Sequence, residues 1–274
     1  MRIAYVGTFE PGTTETHWAG SLELLGHHVT RLSEASTPWA ERVSAALEHD
    51  LFLWTSTWGY NERWAIGDGF RSVEFLNSRM PTAVLHLDRW RGLANREWQV
   101  TDRYGGSAMF SCWWVFTADG DGDHWFGLHG VNHRWLPPAV YGPECVKGRP
   151  CQEYQSDVAF VGNTDYGHKE HAPDRHAMLD ALRSRFRDRV AFWPKPGVPG
   201  PWGLAYNDLL SSTKVVVGDA WQGAFRYHSN RVWECVGRGG FMVHPAVPGL
   251  VELLPEGMGV SYFPPGDWDA MCDL

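Results

Sequence analysis

Long hydrophobic runs are missing from this sequence. No stretch approaches the roughly 20 apolar residues that a membrane-spanning helix needs. Arg2 is followed only by Ile3-Ala4-Tyr5-Val6, too short for the core of a secretory signal. A cytoplasmic protein is the expectation. Cysteine is scarce, with five at positions 112, 145, 151, 235 and 272. That odd, scattered set supplies neither a disulfide framework nor the paired spacing of a zinc site. Basic excess is also absent. Lys and Arg total 24 against 32 Asp and Glu, a formal charge of -8. This balance disfavours a broadly basic nucleic-acid surface and leaves room only for a local basic groove.

What is present points to a folded chain. Of 274 residues, 43% are hydrophobic and 20% charged, enough apolar surface to exclude disorder and to build one large domain or two ordinary ones. Short apolar runs at 2–7, 28–32, 50–54, 82–87, 113–118, 157–162, 190–193, 214–218, 240–244 and 260–263 read as strands. Several are apolar on both faces, as in parallel sheets covered by helices. Helix-period segments lie between them. Residues 16–25 place Trp18, Leu22 and Leu25 on one face, and residues 174–186 place Leu179, Leu182 and Phe186 on one face. The strand–loop–helix pattern starts twice, at 2–7 and at 157–162. A Pro/Gly-rich stretch, 136–154, reads as a linker between them. The expectation is α/β: two Rossmann-like domains, 1–140 and 155–274, with parallel sheets facing a cleft. Ligands in such sheets sit beyond the carboxyl ends of the strands. The chain stops at Asp267–Leu274, where a helix begins. The second domain is thus expected to be a shortened version or cut, and a shortened one would be less stable or rely on a second copy of the chain.

The second half carries the most specific pattern. It runs Phe160-Val161-Gly162-Asn163, then Arg175, Tyr206, Leu209-Leu210, Gly218-Asp219, Ser229-Asn230-Arg231-Val232-Trp233-Glu234, Gly239-Gly240-Phe241 and Gly249-Leu250. This order resembles the donor domain of GT-B glycosyltransferases, closest to the CgeB-like, family-1-like group. The resemblance spans about 157–263 and is weak in the first half, where Leu85-His86-Leu87-Asp88-Arg89-Trp90 carries it. It implies a nucleotide-sugar co-substrate, a UDP-hexose by default, and no obligatory metal. A diphosphate suits backbone amides at a helix start together with a cation, and Ser229, Asn230 and Arg231 offer both. Glu234, one turn on, would clasp the ribose diol, as the family's Glu does; its rival role is complementing the helix dipole. Gly162 and Asn163 would let the backbone approach phosphate. Arg175 and Lys195 are candidate donor contacts or plain surface, and Tyr206 belongs to the same pattern. The acidic residue that retaining members place eight positions earlier is missing, since Arg226 stands there.

Transfer to an acceptor also needs a base. His86 and Asp88, on one side at the end of a strand, are the candidate pair, with Asp88 as base; the competing role for Asp88 is capping and pairing with Arg89, Arg91 or Arg96. His17, after the first Gly/Thr loop, is a third candidate. The aromatic run Trp54–Tyr60 would stack an acceptor or simply pack. Asp119, Asp121, Asp123 and His124 resemble a calcium loop but lack its downstream Glu, so a solvated turn is expected. His124, His129 and His133 are interrupted by Gly127 and Gly130, against a metal site on one helix. The acceptor is open among a hydroxymethylated DNA base, a protein and a glycan. A nucleotide-sugar-binding module without chemistry and a nucleotide-sugar epimerase are the rival functions.

Overall fold

The computed structural model describes residues 1–55, 66–90, 94–102, 106–164, 173–198, 200–220 and 225–274. The chain divides into two compact units, Met1–Pro137 and Pro138–Leu274.

In the first unit, strands β1 (Arg2–Gly7), β2 (His28–Ser33), β3 (Leu51–Trp54), β4 (Thr82–His86), β5 (Trp114–Thr117) and β6 (His133–Trp135) form a sheet in the order β2-β1-β3-β4-β5-β6. Every pairing in it is parallel. Helices α1 (Thr14–Leu24), α2 (Trp39–Ala46), α3 (Ile66–Asn77), α4 (Ala94–Thr101) and α5 (Asp123–Leu128) connect the strands. Alternation along β1 explains the two-faced core. Ile3 and Tyr5 pack with Ala19 and Trp18 of α1, whereas Ala4 and Val6 pack with Phe70, Val73 and Leu76 of α3.

In the second unit, β7 (Ser156–Val161), β8 (Val190–Trp193), β9 (Thr213–Val217), β10 (Met242–Pro245) and β11 (Val260–Phe263) follow the order β11-β10-β9-β7-β8, again all parallel. Helices α6 (Pro173–Phe186), α7 (Leu204–Ser212), α8 (Arg231–Gly237), α9 (Leu250–Leu253) and α10 (Trp268–Asp273) accompany them. Val158, Phe160, Val217 and Val243 meet α6 through Met178, Leu179 and Leu182. Ala159, Val161, Val216 and Met242 meet α7 and α8 through Leu209, Leu210, Val232 and Cys235. Each sheet is thus covered on both faces, the arrangement that continuous apolar strands require.

The expected strands form at the expected places, within a residue or two. β6 was not anticipated: three residues including an arginine carry no hydrophobic period. The first helix differs from its expected face. It ends at Leu24, and Leu25, predicted to be buried, is 73% exposed because the chain turns through Gly26 at φ +83°. The Pro/Gly-rich stretch after Pro137 is tied to α7. The Asn207 amide donates to the Glu144 carbonyl at 2.9 Å, the Arg149 N–H donates to Asp208 at 2.7 Å and the Cys151 N–H to Ser212 at 2.7 Å.

Arg238, only 6% exposed, anchors the same segment. Its guanidinium donates to the Glu144 carboxylate, to the Gly203 carbonyl at 2.9 Å and to Asn207 at 3.2 Å. Removing one member of a buried pair strands the other charge, at a cost of about 3 kcal/mol, whereas apolar replacement of both is far milder. Glu144→Leu should therefore lower the unfolding free energy by about 3 kcal/mol, and Glu144→Leu with Arg238→Met should recover most of it. Urea unfolding of the single and double variants measures both.

Candidate functional site

The second sheet changes direction beside β7: β8 lies on one side of it and β9 on the other. At such a switch point the connecting loops diverge and leave a crevice above the carboxyl ends of the strands. A small pocket opens there, lined by Phe160 and Val161 of β7, Val217 of β9 with Gly218 and Asp219 after it, His244 of β10, and Ser229 and Arg231 at the start of α8.

Arg231 reaches over the end of β7. A Cβ built on Gly162 would lie 3.0 Å from Arg231 Nη1 and 3.0 Å from the Phe160 ring, so the glycine makes room for the guanidinium. Among the described residues no hydrogen bond or ion pair holds that guanidinium. Arg175 is different. It pairs with the Asp219 carboxylate, both side chains being mostly buried, and also donates to the Asn163 carbonyl at 3.3 Å. The two arginines expected to serve as donor contacts therefore part company: one is neutralised within the protein and one is available to an anion. Lys195 is exposed and sits 4.2 Å over the Trp193 ring.

The start of α8 is partly self-satisfied. Asn230 stands at the cap position without a side-chain cap bond, while the Ser229 hydroxyl accepts the Arg231 N–H at 3.3 Å. Glu234, half-buried, lies one turn further along, outside the pocket wall. Its charge, together with burial, raises the Tyr206 and Cys235 pKa values, desolvation being the larger cause for both and the Cys235 thiol reaching about 12. Tyr206 lines the pocket and is 5% exposed.

Two further histidines belong to this region. His244 is fully buried, lines the pocket and has its pKa lowered, chiefly by burial. His228, 1% exposed, accepts the Trp233 indole N–H at 3.0 Å, and burial followed by the proximity of His244 pushes it down to about 4. A Cβ added on Gly218 would lie 2.6 Å from the His244 ring.

In the first unit, His86 ends β4 and its Nε2 lies 3.4 Å from Asp88 Oδ2, so the structure brings this candidate pair together. His86 is nearly buried and Asp88 half-exposed. Trp90 packs on His86 at 5.2 Å, and its N–H donates to both Asp119 oxygens, at 3.0 and 3.2 Å. Behind Asp119 runs a buried chain. Thr117 Oγ1 is 3.1 Å from Asp119 Oδ2 and 2.7 Å from His133 Nε2, and His133 Nδ1 is 2.7 Å from Asp123. The expected solvated turn at Asp119–Asp123 is thus corrected: Asp119 is 4% exposed and anchors the segment after β4. His17 lies in the first turn of α1, apart from this chain. Of the aromatic run 54–60, residues 56–60 lie outside the described residues, as do 165–167 of the second Gly loop. Among the described residues no group of three or more His, Cys, Asp or Glu is placed to hold a metal ion.

No family model matches the chain, and no curated protein matches it. Solved structures do. The HepE protein of Anabaena, crystallised with UDP and glucose, superposes at TM-score 0.58 and 13% identity over 100% of this chain and 88% of that one. Sucrose-phosphate synthase from Thermosynechococcus elongatus gives 0.54 at 11% identity over 99% and 88%. A UDP-forming α,α-trehalose-phosphate synthase from Burkholderia vietnamiensis gives 0.54 at 11% over 99% and 87%. These neighbours are GT-B glycosyltransferases, and the likeness shows that this chain has their fold: two parallel α/β sheets flanked by helices.

The histidine pair makes stability depend on pH. His228 is neutral in the fold, with a pKa near 4, whereas an unfolded histidine titrates near 6.5. The unfolded chain therefore binds more protons between these values. This contribution is complete above pH 6.5 and is lost as pH falls toward 4, about 1.4 kcal/mol per unit. His228→Phe should flatten the fall in unfolding free energy between pH 6.5 and 4 measured by denaturant titration.

Proposed function

We propose that the chain is a glycosyltransferase that takes a sugar from a nucleotide-sugar donor, a UDP-hexose, held in the second unit. The observation that carries this reading is the guanidinium of Arg231, without a hydrogen-bond or ion-pair partner among the described residues, held over Gly162 in the switch-point pocket. A diphosphate is the donor's most highly charged part, and a cation in a low-dielectric crevice binds it far better than one in water. Charge also builds on that diphosphate as the glycosidic bond breaks, so the same contact strengthens in the transition state. Gly162 and Asn163 would border the phosphates, Ser229 and Asn230 would flank them, and Glu234 would take the ribose diol. Complexes of HepE with UDP and with UDP-glucose support this assignment by analogy of fold. In this reading the chain is a cytoplasmic member of the CgeB-like group, and its donor needs no metal because Arg231 takes the charge.

Asp88 is the proposed base for the acceptor hydroxyl, with His86 orienting it. A half-exposed carboxylate beside a nearly buried imidazole is open to an acceptor on one side and fixed on the other. The acceptor is a hydroxymethylated DNA base, a protein or a glycan. No helix among the described residues is long and apolar enough to cross a membrane.

Arg231→Ala should weaken UDP and UDP-hexose binding about 10- to 100-fold, the loss of one or two charge-assisted hydrogen bonds. Asp88→Asn should leave that affinity in place and abolish UDP release in the presence of an acceptor. Calorimetry and a UDP-release assay across the three acceptor classes read both. Absence of affinity for every nucleoside diphosphate and its sugar conjugates would overturn the reading. Binding without turnover would make the chain a binding module, and a free epimer would make it an epimerase.

A further inference from the structure

His244 Nδ1 lies 2.8 Å from the Pro245 carbonyl oxygen. A carbonyl only accepts, so Nδ1 carries the proton of the neutral ring and Nε2 carries a lone pair. Nε2 is buried and has no hydrogen-bond partner among the described residues. The nearby Asp219 carbonyl, also only an acceptor, does not supply one. Conversion to imidazolium, which would satisfy both carbonyls, is opposed by complete burial and by the second buried imidazole at His228. The pocket wall therefore presents an acceptor that lacks a donor, and such a group costs about 1–3 kcal/mol until it finds one.

The chemistry of the missing donor is restricted. Phosphate oxygens at neutral pH accept and do not donate, so the diphosphate that Arg231 takes cannot satisfy His244. A hydroxyl or an N–H can. Glu234 stands one turn beyond Arg231 on α8 and off this pocket, which assigns the ribose to that side and leaves the pocket for the other end of the ligand. We propose that His244 is a specificity-determining contact that accepts a hydrogen bond from a hydroxyl of the transferred sugar. This rests on the nucleotide-sugar reading above and adds to it the residue that distinguishes the sugar conjugate from the bare nucleotide. Gly218 belongs to the same device, since a side chain there would push the ring from its place.

The test compares UDP with UDP-glucose, UDP-galactose and UDP-N-acetylglucosamine by calorimetry on the full chain. In the wild type at least one UDP-hexose should bind more tightly than UDP. His244→Met should remove about tenfold of that advantage while leaving UDP affinity unchanged, and His244→Gln, whose side-chain oxygen accepts, should restore part of it. Because the Met variant could fail to fold, the wild type is also followed by imidazole ¹⁵N–¹H correlation. The His244 Nε2 resonance should begin at the position of an unprotonated nitrogen and move on saturation with the preferred UDP-hexose but not with UDP. A resonance that stays put with every UDP-hexose, or that already shows a bond from His228 Nδ1–H or a fixed water in the free protein, overturns the proposal. UDP binding retained in that case would leave the nucleotide-sugar reading standing, and loss of all binding would remove both.

Discussion

A positive charge is held over a residue with no side chain at the point where the parallel sheet of the second unit changes direction, and the proposed chemistry of that unit depends on it. Three separate features of the chain make it available. The strand β7 ends in Gly162, which leaves the space. Ser229 takes the first amide of α8 and fixes the start of the helix that carries Arg231. Asp219, the nearest carboxylate at the end of β9, is already engaged by Arg175.

The same wall of the pocket divides into a cation and a lone-pair acceptor, Arg231 and His244. These groups are complementary to a ligand that has an anionic part and a hydroxyl-bearing part joined within a short distance. A free phosphate satisfies only the first and a free sugar only the second. The sugar phosphate junction of a nucleotide sugar satisfies both, which is why the two orphaned groups are more informative together than either is alone.

The fold was legible in the sequence where apolar runs are continuous, as in Val158–Val161 and Val215–Val217, because strands buried on both faces need no period to be seen. It was illegible at β6, where His133 is buried through hydrogen bonds to Asp123 and Thr117 and not through hydrophobicity. Leu25 misled in the opposite sense: its helical spacing from Trp18 and Leu22 implies a buried face, yet a turn at Gly26 leaves it in solvent. For the site, the run from Ser229 to Glu234 was visible as a pattern, but the pattern does not distinguish Arg231 from Arg175. Only the partner of each side chain does, and partners come from tertiary structure. For His244 too, only the structure shows its burial and its place in the pocket wall.

In the first unit the polar chain behind Asp119 has a proton shortage that fixes its character. With His133 neutral, Nδ1–H goes to Asp123 and Nε2 needs the Thr117 hydroxyl proton. That same proton is the one available to the Thr117–Asp119 contact, since the Asp119 N–H already points at Thr117 Oγ1 from 3.1 Å. One proton thus faces two acceptors, and burial, which lowers the His133 pKa against the opposing pull of Asp123, withholds the second. Asp119 accepts the Trp90 backbone N–H with both carboxylate oxygens. Trp90, in turn, is the residue that packs on His86 beside Asp88. The effect of this chain is mechanical: it fixes the backbone two residues beyond Asp88, where Trp90 packs on His86.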